Sequence, residues 1–301
     1  MALIFDFRWK DDLIPVFQTV SNGKFEEVPV YKDQPLFLSV ESAPLICVGS
    51  FQNNTYSPCS TKTTGTKKCE TCKRMEDYFP CQFCNGFNCH QFRNEKIENC
   101  DASHMVYLAL FTKDIVKVGV SRLTRGKTRQ VEQGSHFTRI FAEGLSGVAA
   151  RRMEKILTEM GFPDKIPSSQ KKDFLFPEIS LEEGKSVLEQ KAREATDFLA
   201  SHAPEYKKYI LSEEKFWDLR PEYTADIEEL QNSTKPFHFF SLAPGESLGG
   251  TLRMVKGPFF VVEAEDERVA LSAKDLVGYC VSFSPCENGL KTNVALQSSL
   301  F

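Results

Sequence analysis

The stretch His104 to Leu157, HMVYLALFTKDIVKVGVSRLTRGKTRQVEQGSHFTRIFAEGLSGVAARRMEKIL, decides how the chain is read. Two apolar runs rich in β-branched and aromatic residues, MVYLALF and IVKVGV, flank the turn residues TKD and are expected to pair as a β-hairpin. Arg122 to Gln133 reads as loop and helix start. HFTRIFAEG has the composition of a third strand. GVAARRMEKILTEM is expected to be a helix, because Val148, Met153, Ile156 and Leu157 share one side of it.

Charge sets this region apart. Between Asp101 and Asp173, 13 Lys and Arg stand against 8 Asp and Glu, so a chain of net charge −4 carries +5 here and −9 elsewhere. A basic segment in an acidic protein points to a polyanionic partner. Arg122, Arg125, Lys127 and Arg129 supply four of those charges, and a solvated basic turn is the ordinary alternative. His136 follows a few residues on, close enough to assist the same site.

Upstream lies a cysteine cluster. Seven of the ten cysteines fall between Cys59 and Cys100, including the two CxxC pairs Cys69/Cys72 and Cys81/Cys84. A CxxC turn presents two thiolates on one side of a tight loop, and two such turns complete a tetrahedral zinc site of the closed, structural kind. Those four are the least ambiguous ligands. Cys59, Cys89, His90 and Cys100 are candidates to replace members of the set or to build a second site, and an iron–sulfur cluster suits the same donors. Disulfides would explain the clustering in a secreted protein. The start MALIFDFRWKDD carries five charged residues and lacks a secretory pattern, so reduced thiols and a cytoplasmic location are expected. Cys47, Cys280 and Cys286 stand apart and read as small buried side chains.

The outer parts of the chain complete the layout. Residues 1–58 read as short strands (VPVY, PLFLSV, PLICVGSF), and residues 233–301 have the same texture in TLRMV, FFVVEA, RVALS and YCVSF. Neither group is large enough to stand alone, so the two ends are expected to pair into one β domain. Segment 59–100 is the zinc-binding part and 101–175 the central core. Segment 176–232 should be helical: Ser180 and Glu183 have capping-box spacing, Leu181 to Leu199 keep helical intervals, and Pro204 and Pro221 are breaks. With 301 residues, 41% hydrophobic and 26% charged, the chain has the material for two cored domains and no run long enough to span a bilayer.

At this point the central core resembles the GIY-YIG nucleases over about 50 residues. That family carries an aromatic triplet on strand one, a YIG-like triplet on strand two, then a helix bearing Arg and a later helix bearing Glu. VYL supplies Tyr107, KVG supplies Lys117 and Gly119, Arg129 follows, and Glu154 stands in AARRMEK. The resemblance implies a compact sheet with helices and a site in which Tyr107 is the phenol, Arg129 the phosphate clamp and Glu154 the ligand of Mg or Mn. Met105 and Val106 replace the first two residues of GIY, and Lys117 replaces the second tyrosine. Over most of its length the chain also resembles a prokaryotic family known as domain-of-unknown-function family 2797. The expected fold is therefore α+β: a GIY-YIG-like core, a Cys-rich zinc segment and a β domain made from the chain ends. The expected function is nucleic-acid binding, DNA and RNA being equally compatible, with divalent-metal-dependent phosphodiester hydrolysis. The alternatives are a non-catalytic nucleic-acid module and a zinc-stabilised protein-interaction scaffold.

Overall fold

A computed structural model describes residues 1–41, 44–52, 55–76, 80–88, 98–223, 227–285 and 289–291. The fold is mixed α+β, with a large sheet and several helices. It divides into two compact units, one formed by Met1–Asp77 with Asp226–Phe301 and the other by Tyr78–Ala225. The Cys-rich segment 59–100 is thus shared between the units rather than standing as a separate part.

In the first unit, strands from both ends of the chain interleave in one ten-stranded sheet. Ala2–Trp9 pairs with Cys280–Ser282, and Pro35–Val40 lies between Cys280–Ser282 and Ser247–Lys256. The aromatic richness of both ends has a purpose in the core: Phe7, Phe17 and Phe260 meet edge to face at 5.1–5.5 Å between ring centres.

The second unit is built on a four-stranded antiparallel sheet. Its elements are β1 (Ser103–Thr112), β2 (Ile115–Arg122), the short α1 (Thr128–Gln133), β3 (Phe137–Ser146), α2 (Gly147–Glu159), α3 (Leu181–His202) and β4 (Ile210–Asp218). The strand order is β4-β3-β1-β2. MVYLALF is apolar without alternation because β1 is central and buried on both faces. Val106, Leu108 and Leu110 meet Ala150, Met153 and Leu157 of α2 and Leu188, Ala195 and Leu199 of α3. Met105, Tyr107, Ala109 and Phe111 form the other face with Ile140 and Ile166. The hairpin register sets Tyr107 opposite Gly119 and Ala109 opposite Lys117, so these four share that second face.

Local signals start both long helices. Ser146 caps α2 by accepting from the Ala149 amide, and Ser180 with Glu183 forms a full capping box on α3. Segment 176–232 departs from the all-helical expectation. After the 22-residue α3, ILSEEKFWD forms β4, the edge strand beside β3. Among the described residues, no helix is long and apolar enough to cross a membrane.

Candidate functional site

A cleft of about 500 Å³ opens in the second unit. Tyr107 of β1, Lys117 of β2, Arg129 of α1 and Glu154 of α2 all line it. Their convergence follows from the fold. The hairpin register places Tyr107 and Lys117 on one face, while α1 and α2 precede and follow the adjoining strand β3. The loop after α2 joins the edge of β2 by a bond from the Val118 amide to the Pro163 carbonyl, 3.0 Å.

Tyr107 lies at the base of the cleft, fully buried. Its hydroxyl faces the Arg129 guanidinium and has no other polar partner among the described residues. Gly119 makes room for the ring. A Cβ at that position would stand 2.5 Å from Tyr107 Cζ and closer still to the hydroxyl oxygen, so only glycine fits beneath the phenol. Lys117 is buried, and its ammonium is 3.4 Å from the Gln133 side-chain amide. Arg129 reaches Glu132 at 3.3 Å.

The helix α2 contributes more than Glu154. Arg151, Glu154, Lys155 and Thr158 stand at i, i+3, i+4 and i+7 on one helix face and line the cleft together, a pattern legible in ARRMEKILT. Arg151 also donates to the Cys84 carbonyl at 3.2 Å, and Arg152 to that of Gly86 at 2.6 Å. These bonds seat the loop that carries Phe83, Cys84 and Asn85 along the cleft wall. Gly86 is needed there, with φ of +82° and no space for a Cβ against Val148 and Arg152. Burial raises the Glu154 carboxyl above its ordinary value; Lys117 and Arg151 pull it down, and Asp164 adds to the rise.

The other expected nucleic-acid contacts are placed elsewhere. Arg122, Arg125, Lys127 and His136 are not among the residues lining the cleft. Arg125 pairs with Glu132 at 2.7 Å and Lys127 with Glu222 at 2.5 Å. His136 is buried, with Nε2 2.9 Å from the Phe174 carbonyl. Conversely, Gln133, Asp164, Lys165 and Lys171 line the cleft without having been singled out by the sequence.

A second cluster lies in the first unit. The sulfurs of Cys47, Cys59, Cys69 and Cys72 all lie within 4.8 Å of one another, and such a group can hold a metal ion. Zinc bound to four sulfurs at about 2.3 Å requires sulfur separations near 3.8 Å, with which a donor set gathered within 4.8 Å is compatible. Backbone pairing assembles it. Cys47 donates its amide to the Thr61 carbonyl at 2.8 Å and Val48 to that of Lys67 at 3.0 Å, which draws the 45–48 strip against the 61–67 strip. The Cys69 amide, at the start of the helix Glu70–Met75, donates to Cys47 Sγ at 3.2 Å. Bonds from Thr61 bring the Cys59 thiol down to about 7, while burial pushes the Cys47 and Cys72 thiols up.

This ligand set differs from the expected one. Cys59, Cys69 and Cys72 are present, but the fourth member is Cys47, which the sequence reading left as a small buried residue. Cys81 and Cys84 belong to the other unit. Cys89 and His90 lie outside the described residues. Proximity of CxxC pairs in sequence favours 69/72 with 81/84, whereas Cys47 reaches the cluster only through the backbone bonds of the 45–48 strip.

The family described as "Protein of unknown function (DUF2797)" matches residues 46–281. No curated protein and no solved structure matches the chain.

Proposed function

The chain belongs to the DUF2797 family, and we propose that its cleft is a GIY-YIG-like site that binds the phosphodiester backbone of DNA or RNA and supports divalent-metal-dependent hydrolysis. The observation that carries this reading is the shared cleft. Four residues of the types phosphodiester cleavage needs, spread over 48 positions from Tyr107 to Glu154, line one cavity.

The chemistry follows from their types. Arg129 and Lys117 provide positive charge for the phosphate oxygens, which gain negative charge as the attacking oxygen adds. Tyr107, buried beside Arg129, is the phenol that would hydrogen-bond the attacking water. Glu154 would hold Mg or Mn, because a desolvated carboxyl beside Asp164 favours a cation, and the metal would supply Lewis acidity near the leaving group. Zinc in the Cys47, Cys59, Cys69, Cys72 cluster is assigned a structural role, since four thiolates leave no open position.

One observation favours a second reading, a module that binds nucleic acid without cutting it. Lys117 stands where the family resemblance has a second phenol, and a lysine there holds phosphate but is a weaker candidate for proton transfer. One assay separates the two. Labelled single-stranded and duplex DNA and RNA are tested for binding and cleavage with Mg or Mn, using the wild type and Glu154→Ala. Cleavage lost in the variant with binding retained supports the hydrolase; cleavage by Glu154→Ala refutes it. Binding without cleavage by either protein gives the recognition module. Neither activity would leave a zinc-stabilised protein-interaction scaffold.

A further inference from the structure

The segment after α2 brings a cation into the cleft from outside the GIY-YIG-like stretch. Lys171 ends the short helix Ser168–Lys171. Its ammonium donates to the backbone carbonyl of Gln133 at 2.7 Å and lies 5.3 Å from the centre of the Phe111 ring. Gln133 is also the residue at which the other two cations meet. Its side-chain amide is 3.4 Å from the Lys117 ammonium, and turned the other way its oxygen accepts from Arg129 Nη1 and Nη2 at 3.0 and 3.2 Å. One amide oxygen serves one of these cations at a time, whereas an ammonium has three donors and a guanidinium five. A group with several anionic oxygens would satisfy all three.

We propose that Lys171 is a third phosphate-holding residue of this cleft, sharing one phosphate with Lys117 and Arg129. This rests on the phosphodiester reading above. The competing role is purely structural: a lysine that satisfies a carbonyl at the end of α1 stabilises the local fold without touching a ligand. Electrostatics distinguishes the two. The charged and titratable neighbours lining the cleft are Tyr107 and Lys117 from the sheet, Arg129 from α1, Arg151 and Glu154 with Lys155 from α2, and Asp164 with Lys165 from the loop. Burial, then the charges of Lys117 and Arg129, hold Lys171 down to about 7. A bound phosphate supplies the missing counter-charge and draws a proton back onto the amine, so binding on the alkaline side of that value takes up a proton.

The test is titration calorimetry of the full chain with a short oligothymidylate, on the alkaline side of that value, in buffers of high and low ionisation enthalpy. The wild type, Lys171→Met and Lys171→Arg are compared, with a thermal melt of each. The wild type should bind with proton uptake. Lys171→Met should lose about tenfold or more in affinity and have a shallower salt dependence, by about one phosphate contact. Lys171→Arg keeps a cation and the bond to Gln133, so it should retain affinity while losing the proton uptake, because a guanidinium is always charged. Lys171→Met binding as tightly as the wild type would overturn the assignment and leave the cleft reading standing. Proton uptake unchanged in Lys171→Arg would also overturn it, by locating the titrating group elsewhere. No binding by the wild type would overturn both readings.

Discussion

Gly119→Ala is the sharpest test of how the cleft base is built. Taken alone, replacing glycine by alanine inside a strand is favourable by roughly 0.5–1 kcal/mol, because glycine loses more freedom on folding. Here the added methyl would sit 2.5 Å from Tyr107 Cζ, and the ring cannot retreat, since Met105, Ala109, Phe111, Ile140 and Ile166 enclose that face of the sheet. Overpacking of this kind costs about 1–3 kcal/mol. The net destabilisation should be about 1–2 kcal/mol, which lowers the melting temperature of a unit of this size by about 2–8 °C. In a Tyr107→Ala background the obstacle is gone and only the strand preference remains. There the same change should be neutral or stabilising, giving a coupling of about 1–3 kcal/mol in a double-mutant cycle. Scanning calorimetry of the four proteins measures it. Additive effects of the two substitutions would refute the claim that the phenol lies over Gly119.

Three further outcomes are expected. Tyr107→Phe removes a buried hydroxyl whose polar partner is Arg129, so stability should fall by about 1 kcal/mol, while any cleavage activity falls by about 100-fold or more; a rise in stability would show that the hydroxyl and Arg129 do not interact. Cys47→Ser should lower the zinc content by one equivalent and reduce the melting temperature of the first unit, whereas Cys280→Ser should retain full metal; elemental analysis with parallel melts decides, and full zinc in Cys47→Ser would exclude Cys47 as a ligand. Ser180→Ala should cost about 1 kcal/mol by removing the cap of α3. Glu183, the other half of that box, is held down to about 2 by the Lys113 ammonium and by bonds from Ser180, so its contribution is complete above its ordinary value near 4.5 and fades as pH falls toward 2; a urea-melt series in that window should show the slope disappear in Glu183→Gln.

The parts of the fold that were legible in the sequence share a physical trait: their pattern is set by strong, one-sided or two-sided burial. The β1–β2 hairpin, β3 and α2 all appear where they were expected, the strands running one or two residues past the expected ends, because a central strand buried on both faces is continuously apolar and a packed helix repeats its apolar residues every turn. The strand β4 gave no such signal. Its central residues, from Ser212 to Lys215, are solvent-exposed, so ILSEEKFWD carries the charge of a loop or helix and owes its strand geometry to the exposed edge of β3. The candidate site was readable where its members sit on regular elements at familiar spacing, as Tyr107, Lys117, Arg129 and Glu154 do. Lys171 was hidden in SSQKKD, a run that reads as a solvated turn, because only the return of the chain past α2 brings it to Gln133. Cys47 was obscured for a similar reason: its nearness to Cys59 is made by pairing between two strips of irregular chain, which leaves no periodic trace.

The interleaved sheet of the first unit also dictates an order of assembly. Its strand Ala2–Trp9 has Cys280–Ser282 as a neighbour, and Pro35–Val40 needs Ser247–Lys256. During synthesis those partners emerge from the ribosome only after the whole of Tyr78–Ala225 has been made, so the contiguous second unit is complete while the sheet still lacks six of its ten strands. The four-cysteine cluster is different in kind. All its members lie between Cys47 and Cys72, so it can close around a metal early, as a locally assembled anchor holding the nascent N-terminal segment until the last strands arrive.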